Sequence, residues 1–184
     1  MYYGKNPIAI QSCQWIIESL ICLMKEKAFS QITVLDICKK AQLSRQTFYN
    51  CFESKEEILH FHLQQEYEKQ FEKYSKNNSI SVSEIIESFA CVIRDNQSLL
   101  DSMLVNHLDV IIADEISKCV RLFANQFVRD GRDNELLPYS EALLSGALAQ
   151  LLTYWLKQEK VVSLEDLTKL LEDFFCGKLF ELDK

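Results

Sequence analysis

A chain of 184 residues makes one large domain, or a small module joined to a larger one. Its 48% apolar and 26% charged residues describe a soluble globular protein, and 4 Gly and 2 Pro are too few turn-formers for a many-stranded β fold. The net charge of −7 is unevenly spread: residues 1–60 carry seven Lys/Arg against six Asp/Glu, a balance of +1, and residues 61–184 carry thirteen against twenty-one, a balance of −8. No apolar run approaches the roughly 18 residues of a membrane span, and Met1–Lys5 lacks the apolar core of a signal peptide. The expectation is a cytoplasmic protein with no membrane partner. Seven cysteines without a CxxC pair read as buried reduced thiols, and their spacing forms no zinc site.

The first predicted helix runs from about Pro7 to Lys27. Cys13, Ile16, Ile17, Leu20, Leu23 and Met24 recur at three- and four-residue intervals and mark its buried stripe. Thr33 then caps a short helix, with Asp36 completing a capping box and Ile32 and Ile37 placed as a hydrophobic staple. The pattern repeats at once. Leu43 precedes a cap at Ser44, Phe48 takes the other staple position, and a second short helix ends near Cys51. A third start, Ser54 with Glu57, opens a long helix to about Tyr74. Two short helices separated by a three-residue turn and followed by a long one is a helix-turn-helix layout, here at about 33–52.

Residues 75–79, Ser-Lys-Asn-Asn-Ser, form the clearest loop. Further helices are predicted at about 82–95, 98–106, 109–130 (with Gly131 as C-cap), 138–159 and 164–180. The total is about nine, all-α, with no repeat and no low-complexity tract.

On a helix from Ser44 to Phe52, Phe48 and Phe52 face inward. Arg45, Gln46, Tyr49 and Asn50 share the opposite face, with Thr47 beside them. Arg can pair with guanine and Gln or Asn with adenine, while Tyr and Thr hydroxyls suit phosphates. The helix starts at Ser44 and at Ser54-Lys55 can also turn backbone N–H groups toward phosphates. The plainer alternative is a helical hairpin with an ordinary polar exterior. No nucleophile–base pair, metal-ligand spacing or phosphate loop marks an enzyme, and no catalytic residue, metal or cofactor is expected.

The run from Ile32 to Leu59, ITVLDICKKAQLSRQTFYNCFESKEEIL, resembles the TetR family signature T-v-x-d-I-a-x-x-A-g-v-s-x-x-t-f/l-Y-x-y/h-F-x-s-K-e-e-L. The resemblance covers about the first 60 residues. It implies an N-terminal three-helix DNA-binding domain at 1–60 and a C-terminal helical ligand-binding and dimerisation domain at 61–184. It further implies that Thr33, Tyr49 and Lys55 hold phosphates, that Arg45, Gln46 and Thr47 read bases, and that Ser44 and Asn50 border that face. Three positions depart from the pattern. Gln42 stands where Gly is common in a left-handed turn, Cys51 replaces a His or Tyr that can touch DNA, and Glu53 replaces a basic residue. Cys51 could make DNA binding sensitive to oxidation.

The resemblance also implies a dimer built by the last two helices and a pocket for a small-molecule effector. Dimer candidates are Leu143, Gly146, Ala147 and Gln150 on one helix and Leu167, Leu171, Phe174 and Phe175 on the other. Pocket candidates are Tyr67, Phe71, Phe89, Met103, His107, Phe123, Phe127 and Tyr154, although aromatic residues at such spacing often serve simply as core. Trp155 to Leu167, W-L-x-x-x-x-x-x-S-x-E-x-L, is similar to the branch containing regulators of dihydroxyacetone utilisation. The reading is a transcriptional regulator, a ligand-responsive repressor that binds a palindromic operator on double-stranded DNA as a homodimer. The alternative is a coactivator of the same fold working through a protein partner.

Overall fold

A computed structural model describes residues 7–74, 81–127, 135–158 and 161–178; for Tyr74 and residues 123–127 it describes the backbone alone. Among the described residues there are eight α-helices and no strand: α1 (Pro7–Met24), α2 (Val34–Ala41), α3 (Arg45–Cys51), α4 (Lys55–Tyr74), α5 (Val82–Val105), α6 (Asp109–Phe127), α7 (Leu137–Lys157) and α8 (Leu164–Phe175). One 3₁₀ turn, Phe29–Gln31, lies between α1 and α2.

α1 is long and apolar enough to cross a membrane by length and composition alone. Its apolar stripe is instead the keel of the N-terminal core: Ile16, Ile17 and Leu20 are buried against α2, α3 and α4, where Ile37, Phe48, Phe52, Ile58 and Leu59 are also sealed from solvent. α1 stops at Met24 rather than Lys27. The next residues are drawn off to α2, Lys27 to Asp36 at 2.9 Å and Glu26 to Lys40 at 2.6 Å.

The caps at Thr33 and Ser44 form as the sequence predicts. Thr33 Oγ1 accepts from the Asp36 N–H while Asp36 Oδ2 accepts from the Thr33 N–H, a reciprocal pair that satisfies two orphan donors of α2. Lys27 above all, and then Thr33, hold the Asp36 carboxyl well below the usual carboxylate range. Ser44 Oγ accepts from the Thr47 N–H at the start of α3. At α4, Ser54 Oγ accepts from the Glu57 N–H, but the Glu57 carboxylate reaches back to the N–H of Glu53, one residue further than a capping box requires.

The predicted helices at 82–95 and 98–106 are one, α5, of 24 residues, so the expected nine become eight. The polar run at 95–98 contains neither Gly nor Pro, and nothing there prevents the i→i−4 ladder from continuing. Asn96 is polar because it works inside the fold: its amide donates to Val92 O at 3.0 Å and its Oδ1 lies 2.9 Å from His62 Nε2 on α4. α8 ends at Phe175, short of the expected 180, and Gly177 follows at φ 74°. The proposed cap Gly131 lies outside the described residues.

The C-terminal helices wrap α4. α5 and α6 flank it, α7 packs on α6, and α8 packs on α5. Buried Leu63, Ile93, Met103, Ile112, Ile116 and Leu152 continue the same apolar core. Trp155 Nε1 donates to Val162 O at 2.7 Å and fixes the α7–α8 connection.

Gln42 has φ 56° and ψ 38°, the left-handed conformation foreseen for this turn, and its N–H closes the end of α2. A side chain costs about 1 kcal/mol there, and glycine removes that cost less its own chain entropy. Gln42→Gly is expected to raise unfolding stability in urea by a few tenths to about 1 kcal/mol. A destabilised variant would show that the turn carries no such strain.

Candidate nucleic-acid interface and effector cavity

α3 has seven residues, and its conformation is set from three sides. Ser44 caps it; Phe48, Cys51 and Phe52 are buried beneath it; the rings of Phe52 and Phe61 meet edge to face at 5.5 Å. These constraints leave Arg45, Gln46, Tyr49 and Asn50 exposed together on the outer face, with Tyr49 58% exposed although it is aromatic. Phe48 packs edge-on to the Tyr49 ring at 5.3 Å and braces it. Thr47 is half-buried, its hydroxyl 2.9 Å from Ser44 Oγ. One guanidinium, two amides and a phenol thus project from a rigid, convex helix. That is a set able to contact base edges and phosphates.

Two residues read from the sequence as phosphate contacts are engaged within the domain. Thr33 gives its N–H and its hydroxyl proton to Asp36 Oδ2, at 2.9 and 2.7 Å. Lys55 gives its ammonium to Phe29 O at 2.6 Å and Ile32 O at 2.9 Å, and lies 4.2 Å from the centre of the Phe29 ring. Lys55 therefore ties the start of α4 to the α1–α2 connection. Glu53 is exposed, as its acidic departure from the family pattern requires.

Cys51 does not face outward. It is buried against α1, where desolvation first and the neighbouring Cys13 next push its thiol up to about 12. A thiol so protonated is a poor nucleophile, and it lies beneath α3 and not on its outer face.

In the C-terminal part an almost wholly apolar cavity of about 270 Å³ opens among α4, α5, α6, α7 and α8. Tyr67 and Phe89, both anticipated, line it, together with Gln70, Ser88, Ile116 and Leu148 among others. Four of the remaining candidates lie elsewhere. Phe71 is half-buried on α4 outside the lining, Met103 is sealed in the core, and Tyr154 is 59% exposed on α7. His107 is exposed in the α5–α6 turn at φ 58°. The side chains of Phe123 and Phe127 lie outside the described residues. The aliphatic and small polar lining residues escaped the sequence reading because nothing in their spacing separates a cavity wall from core.

The dimer candidates divide in the same way. Leu167 and Leu171 are buried within the chain, Leu171 beside the cavity. Leu143, Gly146, Ala147 and Gln150 are exposed, and they fall with Tyr139 and Tyr154 on one stripe of α7. Leu143 is 77% exposed, and a Cβ on Gly146 would meet nothing within 4 Å. Phe174 and Phe175 of α8 are partly exposed, at 44% and 38%.

A capped helix-turn-helix with a polar outer face is thus joined to a helical body around a cavity. Residues 16–60 match the family described as bacterial regulatory proteins, tetR family, and this part of the chain is a TetR-type helix-turn-helix domain. A stretch of 37 residues is 51% identical to the HTH-type dhaKLM operon transcriptional activator DhaS of Lactococcus lactis subsp. lactis (strain IL1403). That match spans 20% of this chain and 20% of the relative. Two solved structures share the fold over nearly the whole chain. The dihydroxyacetone kinase operon activator DhaS has a TM-score of 0.61 at 18% identity, covering 92% of this chain and 96% of that one. The fatty acid degradation regulator FadR from Bacillus halodurans has 0.62 at 17%, covering 91% and 94%. At these identities the likeness is one of fold.

Hydrogen bonds from an ammonium to carbonyls contribute about 1.5–3 kcal/mol each when well sheltered, and less where solvent reaches them. Lys55→Met is therefore expected to lower unfolding stability by about 1–3 kcal/mol in urea titration. A variant as stable as the parent would return Lys55 to the role of a free phosphate contact.

Proposed function

We propose that the chain is a ligand-responsive transcriptional repressor that binds a palindromic operator as a homodimer, in the cytoplasm and without enzymatic activity. The exposed Arg45-Gln46-Tyr49-Asn50 face of α3 carries the reading: no packing demand within the chain accounts for these four residues together. Arg45, Gln46 and Thr47 would read bases, Tyr49, Asn50 and the α3 start at Ser44 would touch the backbone, and Thr33 and Lys55 would position the reading helix. With a balance of only +1 over residues 1–60, affinity depends on these few contacts rather than on a broad basic field.

The α7 stripe of Tyr139, Leu143, Gly146, Ala147, Gln150 and Tyr154, with Phe174 of α8, supports the dimer. A solvent-facing row of this composition gains by burial against a second copy, and two copies present two α3 helices to two half-sites. The apolar cavity supports a small, largely apolar effector. Its walls reach the reading domain at two places. Asn106, which ends α5, accepts the Phe29 N–H at 2.6 Å, and Ser102 donates to Met24 O at 3.2 Å. A ligand that shifts α5 and α6 would move α3 through these contacts and lower DNA affinity by its preference for the shifted state.

A second reading, a coactivator of the same fold that works through a protein partner in place of DNA reading, draws on two observations. The relative from Lactococcus lactis is named an activator, and the Thr33 and Lys55 donors are committed within the fold. Selection of bound duplexes from a random pool separates the two. The repressor reading expects a palindrome to be enriched, and Arg45→Ala and Tyr49→Ala each to lose it. No enrichment by the parent protein at low salt would reject DNA reading.

A further inference from the structure

His60 on α4 and the adjacent Asp114 and Glu115 on α6 bring an imidazole nitrogen and two carboxylate oxygens within 4.8 Å of one another. His60 Nδ1 is 2.6 Å from Glu115 Oε1 and 3.6 Å from Asp114 Oδ2. The Lys118 ammonium sits over the same two carboxylates, 2.8 Å from Asp114 and 2.6 Å from Glu115. The pocket between α4 and α6 is organised around a positive charge.

Glu115 supplies an independent observation. Its side chain is only 1% exposed, and its second oxygen, Oε2, is buried with no hydrogen-bond partner among the described residues. Leaving a buried carboxylate oxygen unpaired is costly. Oε2 is bonded to the same carbon as Oε1, which meets both His60 and Lys118.

From this juxtaposition we propose that His60, Asp114 and Glu115 form a binding site for a divalent first-row transition ion, which takes the place of the Lys118 ammonium. One imidazole and two carboxylates suit ions such as Mn²⁺, Fe²⁺, Co²⁺ or Zn²⁺, and three protein ligands leave positions for water. Ligands 2.0–2.2 Å from an ion lie about 3–3.5 Å apart, and small adjustments of the 2.6 and 3.6 Å separations reach that range. His60 would present the Nδ1 lone pair with its proton on Nε2. Lys118 is 47% exposed and can turn into solvent, and Asp114 at 50% exposure gives the ion a way in. Glu115 Oε2 would gain the partner it lacks. The bound ion would join α4 to α6, the first leading to the reading domain and the second lining the effector cavity.

The test is a titration of the full chain with Co²⁺, followed by calorimetry and visible absorption. Co²⁺ separates the two ligand chemistries, because binding by exposed Cys22 or Cys176 would give intense sulfur-to-metal charge transfer that nitrogen and oxygen ligands do not. One ion per chain is expected, with a weak d–d spectrum. His60→Ala and Asp114→Asn should each weaken binding by about tenfold or more, and Lys118→Met should strengthen it. Both weakened variants alter half-exposed side chains, and thermal melting identifies any that fails to fold, leaving the other to decide. Absence of saturable binding in the parent chain at millimolar Co²⁺, equal affinity in the folded variants, or a charge-transfer spectrum that survives His60→Ala would each overturn the site.

Discussion

The ammonium of Lys55 is the point on which the N-terminal architecture closes. It stands at the first residue of α4 and binds the carbonyls of Phe29 and Ile32, the first residue and the C-cap of the 3₁₀ turn between α1 and α2. Those carbonyls belong to a tight 3₁₀ turn and its cap, and within the described fold the ammonium is their charged partner. With this tie made, α2 starts from a fixed place, the Thr33–Asp36 cap sets its direction, and α3 follows across one strained residue, Gln42. Burial of Phe48 and Phe52 then determines which face of α3 is turned outward. The orientation of Arg45 and Gln46 is thus a consequence of contacts they do not make.

α4 carries this arrangement into the rest of the molecule. Its first residue is held to the reading domain; one turn and more further on, His60 meets Glu115 of α6 and His62 meets Asn96 of α5; beyond these, Tyr67 and Gln70 form part of the cavity wall. A second route runs from α5 through Asn106 to the N–H of Phe29, the same residue whose carbonyl Lys55 holds. The two helices α4 and α5, which line the cavity, are therefore joined to the connection ahead of α2 by short, polar, directional contacts. Such contacts are broken or kept rather than gradually stretched. In the proposed function they would let an effector choose between two conformations.

The reading domain was legible because its signals are local. Caps, staples and the two-phenylalanine spacing are rules about residues three or four apart, and each has its counterpart in the fold. The same local logic misled where a residue serves a distant partner. Asn96 looked like a helix break because the sequence does not show His62 opposite it. Lys55 also binds carbonyls 23 and 26 residues away, contacts that the motif does not show. Cys51 looked exposed by position in the motif, though it packs on α1. In the C-terminal part the apolar faces of α7 and α8 were both visible. Which residues turn inward, as Leu167 and Leu171 do, and which stay outside, as Leu143 does, depends on where α5 and α6 lie. A cavity is harder still, since it is defined by side chains that fail to meet.

The account rests on coupling between the cavity and α3, and that coupling can be measured without knowing the effector. Leu148→Trp places an indole in the cavity from α7, far in sequence from every residue proposed to touch DNA. With the indole buried, as its emission would report, the affinity for the duplex selected by the parent protein should fall by about 5- to 150-fold, the usual span of such coupling. Melting should remain cooperative. An unchanged affinity with the indole seated in the cavity would contradict the account and leave the two halves of the chain as neighbours without communication.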